Sequence, residues 1–483
     1  MHIEFQIVVA LIGYMLAVLG IGYWSAKKVK SEADYYIGGN KLPGFALALS
    51  ERSTDMSGWL LIGMPGLAWA VGLSAVWVLV GTAGGAIFQW VVYSRWFMTE
   101  RSKTGAITPN DYLAKKFTGG ADTIRILGSL TVFLFFVAYV GSQFKAGGKV
   151  LYQSFGIEPV FGIFIVAVVV IGYSMAGGFV TVVWTDVLQA LLMIFTLVVL
   201  PGILFIEVIS DPSLSIMQSL SAAGGGRDLW FGGKEGAASL FLLGANISWF
   251  FGYMGGEPHI FVRMMALSDE KQRRAGIVTA IIWGTLTATG AFILGLLALT
   301  LHGQLQIFVA DREMVLPFMI LEHTPAFLAG ILLAGSIAAL MSTADSQLVV
   351  ASSAIAEDFY QKVLRKKKTF SEKIKLRISR FTTFGIGILG IILVFSADQY
   401  VYTIVSWGWA GLSGSFAPIM TLTFLWKKFS KAGVIASFIG GIGSTIFWVA
   451  MGYDESIITV RLISFPVGFV CAVLASLIWP EEK

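Results

Sequence analysis

Residues 50–58 read SERSTDMSG, and they interrupt a segment, from Pro43 to Val80, that is otherwise apolar enough to lie in a membrane. Placing one ionised Asp, Glu or Arg near the centre of a bilayer costs roughly 3 kcal/mol on insertion scales. Glu51, Arg52 and Asp55 fall within five positions, so packing alone does not explain them. We expect this segment to contact something polar or charged that crosses the membrane.

The composition of the whole chain indicates that most of it lies in lipid. Of its 483 residues, 56% are hydrophobic and 13% are charged, whereas soluble domains carry about 25% charged residues. A spanning helix needs about 20 apolar residues, and on that criterion the chain holds about 13 candidates. They begin near residues 5, 44, 74, 124, 158, 178, 237, 275, 324, 378, 399, 431 and 457. We therefore predict an all-α polytopic membrane protein.

The connections between these segments differ in lysine and arginine content. Those on one side are basic and include Lys115–Lys116 and the run Lys362–Arg380, while the long connection Ser210–Gly236 on the other side holds little beyond Arg227 and Lys234. The positive-inside rule then places the N-terminus outside and the C-terminus in the cytoplasm, in a plasma or inner membrane. Because topology explains the basic run, we predict no nucleic-acid partner, and nothing points to an obligate protein partner.

Signatures of soluble-enzyme chemistry are missing from the sequence. It contains no Walker sequence, HExxH motif or nucleophile elbow, and its four histidines are not paired at metal-ligand spacing. The single cysteine, Cys471, has no cysteine partner for a disulfide or a zinc site. We therefore predict neither an enzyme nor an organic cofactor.

Two of the predicted helices are interrupted at corresponding places. The second breaks at residues 55–58 and the seventh at Gly252–His259. Helices five apart in order cross the membrane in opposite directions, so the pair has the form of an inverted repeat, and transporters place ions and solutes beside such breaks. Simple kinks between packed helices are the alternative, but the corresponding positions favour a binding site.

A third polar segment lies in the ninth predicted helix. Ser342 and Thr343 offer neighbouring hydroxyls, and Ala339 lies one turn before them. Two hydroxyls and a few free carbonyls are hard, neutral ligands that suit sodium. Alternatively, these hydroxyls bond back to a carbonyl four residues earlier or hold helices together. Asp345 and Gln347 close by favour the ion site.

The motifs together resemble the sodium:solute symporter family, and within it the sodium/proline symporters. The similarity spans almost the whole chain, and its pieces occur in family order. They are residues 53–61 (STDMSGWLL), Gly177-Gly178-Phe179 through Trp184-Thr185-Asp186, Gly252-Tyr253 with Pro258-His259, and Met341-Ser342-Thr343 with Ser346-Gln347-Leu348.

The resemblance implies a leucine-transporter-type five-plus-five inverted repeat with extra flanking helices. The whole chain, residues 1–483, is then one transporter domain. Residues 44–207 and 236–426 form the two repeats, residues 5–26 a first flanking helix, and residues 430–479 the last two helices.

The resemblance also implies how sodium is bound. The ligands correspond to backbone oxygens of Ser53, Met56 and Ala339 and to the hydroxyls of Ser342 and Thr343.

Four further residues correspond to positions linked with sodium coupling. Asp55 lies beside the ion, and Asp186 matches an aspartate that in some relatives belongs to a second sodium site together with serines of the ninth helix. Ser346 belongs to that serine segment, but Asp345 stands at one of its serine positions, which speaks against a second sodium.

The solute site of the family maps onto Tyr139, Tyr253, Trp249 and Pro258, with Ser57-Gly58 at the helix break.

Three charged residues depart from the family pattern and are candidates for specificity. Glu51 and Arg52 stand where the family has small residues, and Glu257 stands where it has glutamine. Glu51 and Asp55, four apart on one helical face, repel each other unless a cation intervenes. We expect Arg52 to pair with Glu51 or Glu257 rather than to hold solute.

The predicted function is sodium-coupled import of a small solute, proline or a related amino acid, by alternating access. The alternatives are a symporter of another solute, such as a sugar acid, an organic acid or a vitamin, and a membrane protein that senses solute. A sensor of this type usually carries appended signalling domains, and only Pro480–Lys483 follow the last helix, so we expect transport. The expected partners are the solute, sodium and the lipid bilayer, and the sequence does not decide between sodium and a proton as coupling ion.

Overall fold

A computed structural model describes residues 5–27, 29, 31–38, 42–366, 368, 370–395, 400–453 and 458–481. Within these ranges the secondary structure is helical, with no strand. Nine helical segments in the same ranges are long and apolar enough to cross a membrane. A bent pair, Ala237–Tyr253 with Pro258–Met265, makes a tenth. The prediction of an all-α polytopic membrane protein is confirmed.

The first half of the chain contains a flanking helix, a broken helix and four further spans, two of which lie within the long helix Pro159–Ser210. The helices are α1 (Phe5–Ala26), α2 (Glu32–Ile37), α3 (Gly44–Asp55), α4 (Met64–Val71), α5 (Val76–Phe88), α6 (Ser94–Thr104), α7 (Pro109–Lys116), α8 (Ala121–Phe155) and α9 (Pro159–Ser210). Five-residue π-helical turns, Trp59–Gly63 and Gln89–Tyr93, lead into α4 and α6.

The second half repeats the arrangement and adds two helices at the end. The helices are α10 (Ile216–Ala222), α11 (Ala237–Ile247), α12 (Pro258–Met265), α13 (Glu270–His302), α14 (Gln306–Ala310), α15 (Val315–His323), α16 (Ala326–Ser353), α17 (Glu372–Val394), α18 (Val401–Leu425), α19 (Lys431–Ala450) and α20 (Val460–Ile478). A 3₁₀ segment, Ser248–Tyr253, follows α11, and a π-helical segment, Ala354–Leu364, continues α16.

One glycine divides α9 into two spans. Gly178 has φ +54° and ψ −150°, and a Cβ there would lie 2.5 Å from the ring of Tyr35. Positive φ is costly for residues with a Cβ but not for glycine. The chain therefore turns at Gly178, where the sequence predicts the start of a new helix.

Both predicted breaks are present. The α-helix α3 ends at Asp55, a π-helical turn begins at Trp59, and α-helix resumes at Met64. Beyond α11 the chain narrows to a 3₁₀ helix and leaves helical geometry until Pro258 starts α12. Because α3 packs against α9, α12, α13 and α16, its unwound end lies in the middle of the bundle. This is the leucine-transporter-type inverted repeat that the sequence predicts.

Candidate functional site

Oxygens from α3 and α16 converge at the end of α3. The Ser342 hydroxyl donates to the carbonyl of Ser53 at 3.0 Å and to that of Ala339 at 3.0 Å. The Thr343 hydroxyl donates to the carbonyl of Thr54 at 2.7 Å and to that of Ala339 at 3.1 Å. All five residues are fully buried. Four of the five predicted sodium ligands therefore meet, and Thr54 joins them.

This group fits sodium in its chemistry. Its oxygens are neutral, hard and buried, as an alkali ion requires, and the two hydroxyls can turn their lone pairs toward an ion. Both hydroxyls also bond back to the Ala339 carbonyl of their own helix, which is the alternative role that the sequence analysis gives them. These bonds are present together with the contacts to α3. Among the described residues, no group of three His, Cys, Asp or Glu side chains is arranged to hold a metal ion.

The fifth predicted ligand, Met56, is buried at the end of α3, and its N–H donates to the Arg52 carbonyl at 2.9 Å. Its side chain lines a small cavity together with Arg52 and Gly284. Among the hydrogen bonds of the described residues, none brings the Met56 carbonyl to the α16 hydroxyls.

A second buried cluster surrounds Asp186. Its Oδ2 accepts hydrogen bonds from the hydroxyls of Ser50, at 2.6 Å, and Thr54, at 3.3 Å. The same oxygen lies 3.4 Å from Nη2 of Arg263. Since Asp186 and Arg263 are both fully buried, the aspartate is neutralised inside the bundle by an arginine of α12.

Arg263 occupies the middle of this cluster. Its Nε donates to the Ser50 hydroxyl at 3.1 Å and its Nη2 to the Thr54 hydroxyl at 3.2 Å, and further bonds reach the Ser346 hydroxyl and the His259 carbonyl. A guanidinium thus lies between Asp186 and the serine segment of α16. The sequence analysis did not identify Arg263, although an arginine five residues after Pro258 in an apolar segment is a signal of the same kind as Arg52.

Asp345 lies at the far edge of the same cluster. Its Oδ2 accepts from the Tyr173 hydroxyl at 2.7 Å and its Oδ1 from the Ser346 hydroxyl at 3.2 Å. Three of the four predicted coupling residues, Asp186, Asp345 and Ser346, are therefore brought together. Asp55 belongs to a separate cluster.

That third cluster contains the charges of residues 51–55. Arg52 forms a bidentate pair with Glu51, in which Nε donates to Oε2 at 2.6 Å and Nη2 binds Oε1. Its Nη2 also lies 3.1 Å from Oδ2 of Asp55. Glu51 accepts from the Trp90 indole at 2.8 Å, and Asp55 from the Tyr253 hydroxyl at 2.7 Å. Arg52 is thus the cation between the two carboxylates, and of its two proposed partners the structure selects Glu51.

Aromatic rings line the unwound segment of the seventh spanning helix. Trp249 stacks on Trp59 with ring centroids 5.3 Å apart and lies 5.4 Å from Trp409. The Tyr253 ring lies 5.2 Å from Trp409, and the Trp249 indole donates to the Tyr402 hydroxyl at 3.2 Å. Trp249 and Tyr253, both predicted to line the solute site, therefore belong to one cluster. Its other members, Trp59, Trp409 and Tyr402, were not predicted to line that site.

The predicted solute residues on the other side of the break are also close together. The Tyr139 hydroxyl lies 3.5 Å from that of Ser57, and the Gly58 N–H donates to Oε1 of Gln143 at 3.0 Å. A Cβ on Gly58 would lie 2.6 Å from the end of the Leu340 side chain, so a larger residue there would displace that side chain. Gln143 was not predicted to belong to the site.

Glu257 and Pro258 end the unwound segment. Pro258 is the first residue of α12, and Glu257 precedes it with its side chain fully buried. The Glu257 carboxylate lies 3.6 Å from Nδ1 of His259, and it does not pair with Arg52.

Comparisons with known proteins show to which family the chain is similar. The family model described as the sodium:solute symporter family matches residues 35–441. The chain is 30% identical over 477 residues to the osmoregulated proline transporter OpuE of Bacillus subtilis (strain 168), covering 98% of this chain and 94% of the relative. It is 31% identical over 442 residues to the high-affinity proline transporter PutP of the same strain, covering 91% of each.

A similar solved structure is that of a Na⁺-coupled sialic acid symporter in a substrate-bound, outward-open state. It matches with a TM-score of 0.81 and 19% identity over 100% of both chains. At that identity the likeness concerns the fold.

Proposed function

The chain belongs to the sodium:solute symporter family, and from that premise we propose that it imports proline or a related small amino acid together with sodium. It is a multi-pass membrane transport protein and not an enzyme. We further propose the orientation derived from its basic connections, with the N-terminus outside and the C-terminus in the cytoplasm.

The observation that carries the sodium assignment is the group of oxygens between α3 and α16. Ser342 and Thr343 bond to carbonyls of Ser53 and Thr54 that the end of α3 leaves free. An ion bound here would join the first repeat to the second at the helix break. Sodium would thereby order the unwound segment before solute binds, and this is the coupling that symport requires.

Two features support proline or a related amino acid. The Bacillus subtilis relatives are described as proline transporters. In addition, the rings of Trp59, Trp249 and Trp409 pack together beside the polar groups at the break, and an apolar aromatic lining suits a compact ring.

A second candidate is sodium symport of another solute, such as a sugar acid, an organic acid or a vitamin. It is kept because Glu51, Arg52 and Glu257 depart from the family pattern. A solute sensor is a third candidate, but no observation on the described residues favours it.

The energy available for import follows from charge and concentration. One sodium ion that moves inward releases roughly 2.3 kcal/mol per 100 mV, and a tenfold sodium gradient adds about 1.4 kcal/mol. With one sodium per solute, the two terms together support roughly 500-fold accumulation of a solute without net charge.

Purified protein in liposomes tests the proposal. The liposomes receive an imposed sodium gradient, a proton gradient or neither, and a panel of labelled amino acids, sugar acids and organic acids. We expect sodium-driven uptake of proline or a close relative. Uptake that follows the proton gradient alone, or that is confined to sugar acids or organic acids, would contradict the proposal.

A further inference from the structure

Glu257 is a buried carboxylate for which the fold supplies no hydrogen bond. It is fully buried at the end of the unwound segment, and its side chain does not cap the helix α12 that follows it. Among the described residues, neither Oε1 nor Oε2 has a hydrogen-bond partner. Burying an ionised carboxylate without a partner is strongly unfavourable, so such a group in a native protein is paired, binds a ligand or takes up a proton.

Among the described residues, no positively charged donor forms a hydrogen bond with Glu257. His259 Nδ1 is 3.6 Å away, beyond hydrogen-bond distance, and neither of its ring nitrogens has a partner among the described residues. Asp55 also has an oxygen, Oδ1, without a hydrogen-bond partner in the same ranges. The Tyr139 ring lies against His259, with ring centroids 6.2 Å apart, and its hydroxyl lies 3.5 Å from that of Ser57, so Glu257 and His259 lie next to the predicted solute residues at the helix break.

The two buried arginines nearby are engaged elsewhere. Arg52 binds Glu51 and Asp55, and the nitrogen it leaves free faces Gly284 of α13 in an apolar cavity. Arg263 is held in the Asp186 cluster. Neither guanidinium therefore neutralises Glu257.

A count of charges indicates what is missing. Arg52 pairs with Glu51 and Asp55, and Glu257 adds a third buried carboxyl, so two negative charges have no counter-charge in this group when all three carboxyls are ionised. One sodium ion at the break balances one of them. A positively charged group that arrives with the solute balances the other.

We propose that the Glu257 carboxylate accepts the protonated amine of the transported solute, so that a charged N–H group determines specificity. The proposal rests on the transport function above and narrows its solute to amines and amino acids. Sugar acids and organic acids without nitrogen are excluded. The glutamine that the family usually has at this position can accept a hydrogen bond, but it provides no charge for an ammonium group.

Binding measurements with three ring compounds of similar size test the proposal. L-proline carries an ammonium and a carboxylate, pyrrolidine carries the ammonium alone, and tetrahydrofuran-2-carboxylate carries the carboxylate alone. Purified protein in saturating sodium is titrated with each probe, and quenching of tryptophan fluorescence reports binding beside Trp59, Trp249 and Trp409. We expect the wild type to bind pyrrolidine or proline at least tenfold more tightly than tetrahydrofuran-2-carboxylate.

Glu257→Gln keeps the shape of the side chain and removes its charge. We expect it to weaken binding of pyrrolidine at least tenfold and to leave the sodium dependence of the remaining binding unchanged, while Glu322→Gln, an exposed control, changes neither. Equal affinity of Glu257→Gln and wild type for pyrrolidine, with both proteins folded, would overturn the proposal. A wild type that binds all three probes equally would also overturn it. So would a Glu257→Gln variant whose only change is the loss of a pH dependence, because Glu257 would then carry a proton.

The same titration without sodium separates this inference from the proposed function. A preference for the amine that needs no sodium would leave the role of Glu257 intact and contradict sodium coupling. Sodium-dependent binding with no preference for the amine would support sodium coupling and contradict the role of Glu257.

Discussion

The Thr343 hydroxyl donates to the Thr54 carbonyl across 2.7 Å, and this bond joins the last turn of α3 to α16. In a continuous α-helix that carbonyl would accept from the N–H of Gly58. Here the Gly58 N–H donates to the side chain of Gln143 instead. At the helix break, the Thr54 carbonyl and the Gly58 N–H therefore bond to side chains of α16 and α8 instead of to each other. Helices of both predicted repeats thus contact the break.

Removing either α16 hydroxyl tests the sodium site. We expect Ser342→Ala and Thr343→Ala each to raise the sodium concentration for half-maximal uptake roughly tenfold, because each loses one oxygen ligand worth about 1–2 kcal/mol. Ser336→Ala is a matched control, since among the described residues that buried hydroxyl bonds only within α16, to the Leu332 carbonyl. Unchanged sodium dependence in both variants, at normal protein abundance, would contradict the site assignment.

Arg52 tests whether residues 51–55 are held together by charge. Arg52→Gln leaves the Glu51 and Asp55 carboxylates buried without their cation, and breaking a buried pair costs about 3–5 kcal/mol. We expect a clear fall in the unfolding temperature of the purified protein, and a smaller fall in the double variant Glu51→Gln/Arg52→Gln. Arg274→Gln serves as the control, since this side chain is 78% exposed. If Arg52→Gln unfolds normally and loses affinity only for solutes with a carboxylate, then Arg52 binds solute.

Arg263 leads to a prediction about stoichiometry. Its guanidinium lies between Asp186 and Ser346, two residues that the family resemblance links with sodium coupling. A fixed cation there disfavours a second ion, so we expect one sodium per solute. The measurement is the membrane potential at which coupled flux reverses, determined over a series of sodium gradients. A ratio of two sodium ions per solute would show that a second ion binds despite Arg263, and it would contradict the prediction.

Asp111, in the short helix α7 outside the spans, leads to a prediction about pH. Burial raises the pKa of its carboxyl, but the charges of Lys362 and Lys115, each 2.9 Å away, outweigh burial and hold the pKa below the usual range of aspartate. A carboxyl whose pKa is lowered by folding stabilises the folded state above its unfolded pKa, and this stabilisation is lost as the pH falls through the folded pKa.

We therefore expect Asp111→Asn to destabilise the protein by about 1–3 kcal/mol at neutral pH. The difference from wild type should shrink as the pH falls below about 4, near the pKa of an unfolded aspartate. Thermal unfolding of both proteins across pH is the measurement. A difference that is constant with pH would mean that the carboxylate charge is not what stabilises this cluster.

Sequence reasoning was most successful where a property is local. The breaks after Asp55 and before Pro258 follow from polar residues and glycines in apolar segments, and such signals are visible without a structure. The pairing of Arg52 with Glu51 is also local, since the two residues are adjacent in the chain.

The tertiary partners were not predictable in the same way. Arg263 lies 77 residues from Asp186, and Gln143 lies 85 residues from Gly58. No periodicity links residues at such separations, because their contacts depend on how α8, α9 and α12 pack around α3. For the same reason Glu257 was identified as unusual from the sequence, but its lack of a partner became apparent only when its neighbours were known.

Accumulation of solute against its gradient tests the central claim most directly. Liposomes that contain the protein, clamped at zero membrane potential, receive labelled L-proline and a tenfold inward gradient of either sodium or choline. With one sodium per solute, we predict roughly tenfold accumulation in sodium, no accumulation in choline, and loss of accumulation when an ionophore collapses the sodium gradient. Equal proline uptake with and without sodium would contradict sodium-coupled import of proline.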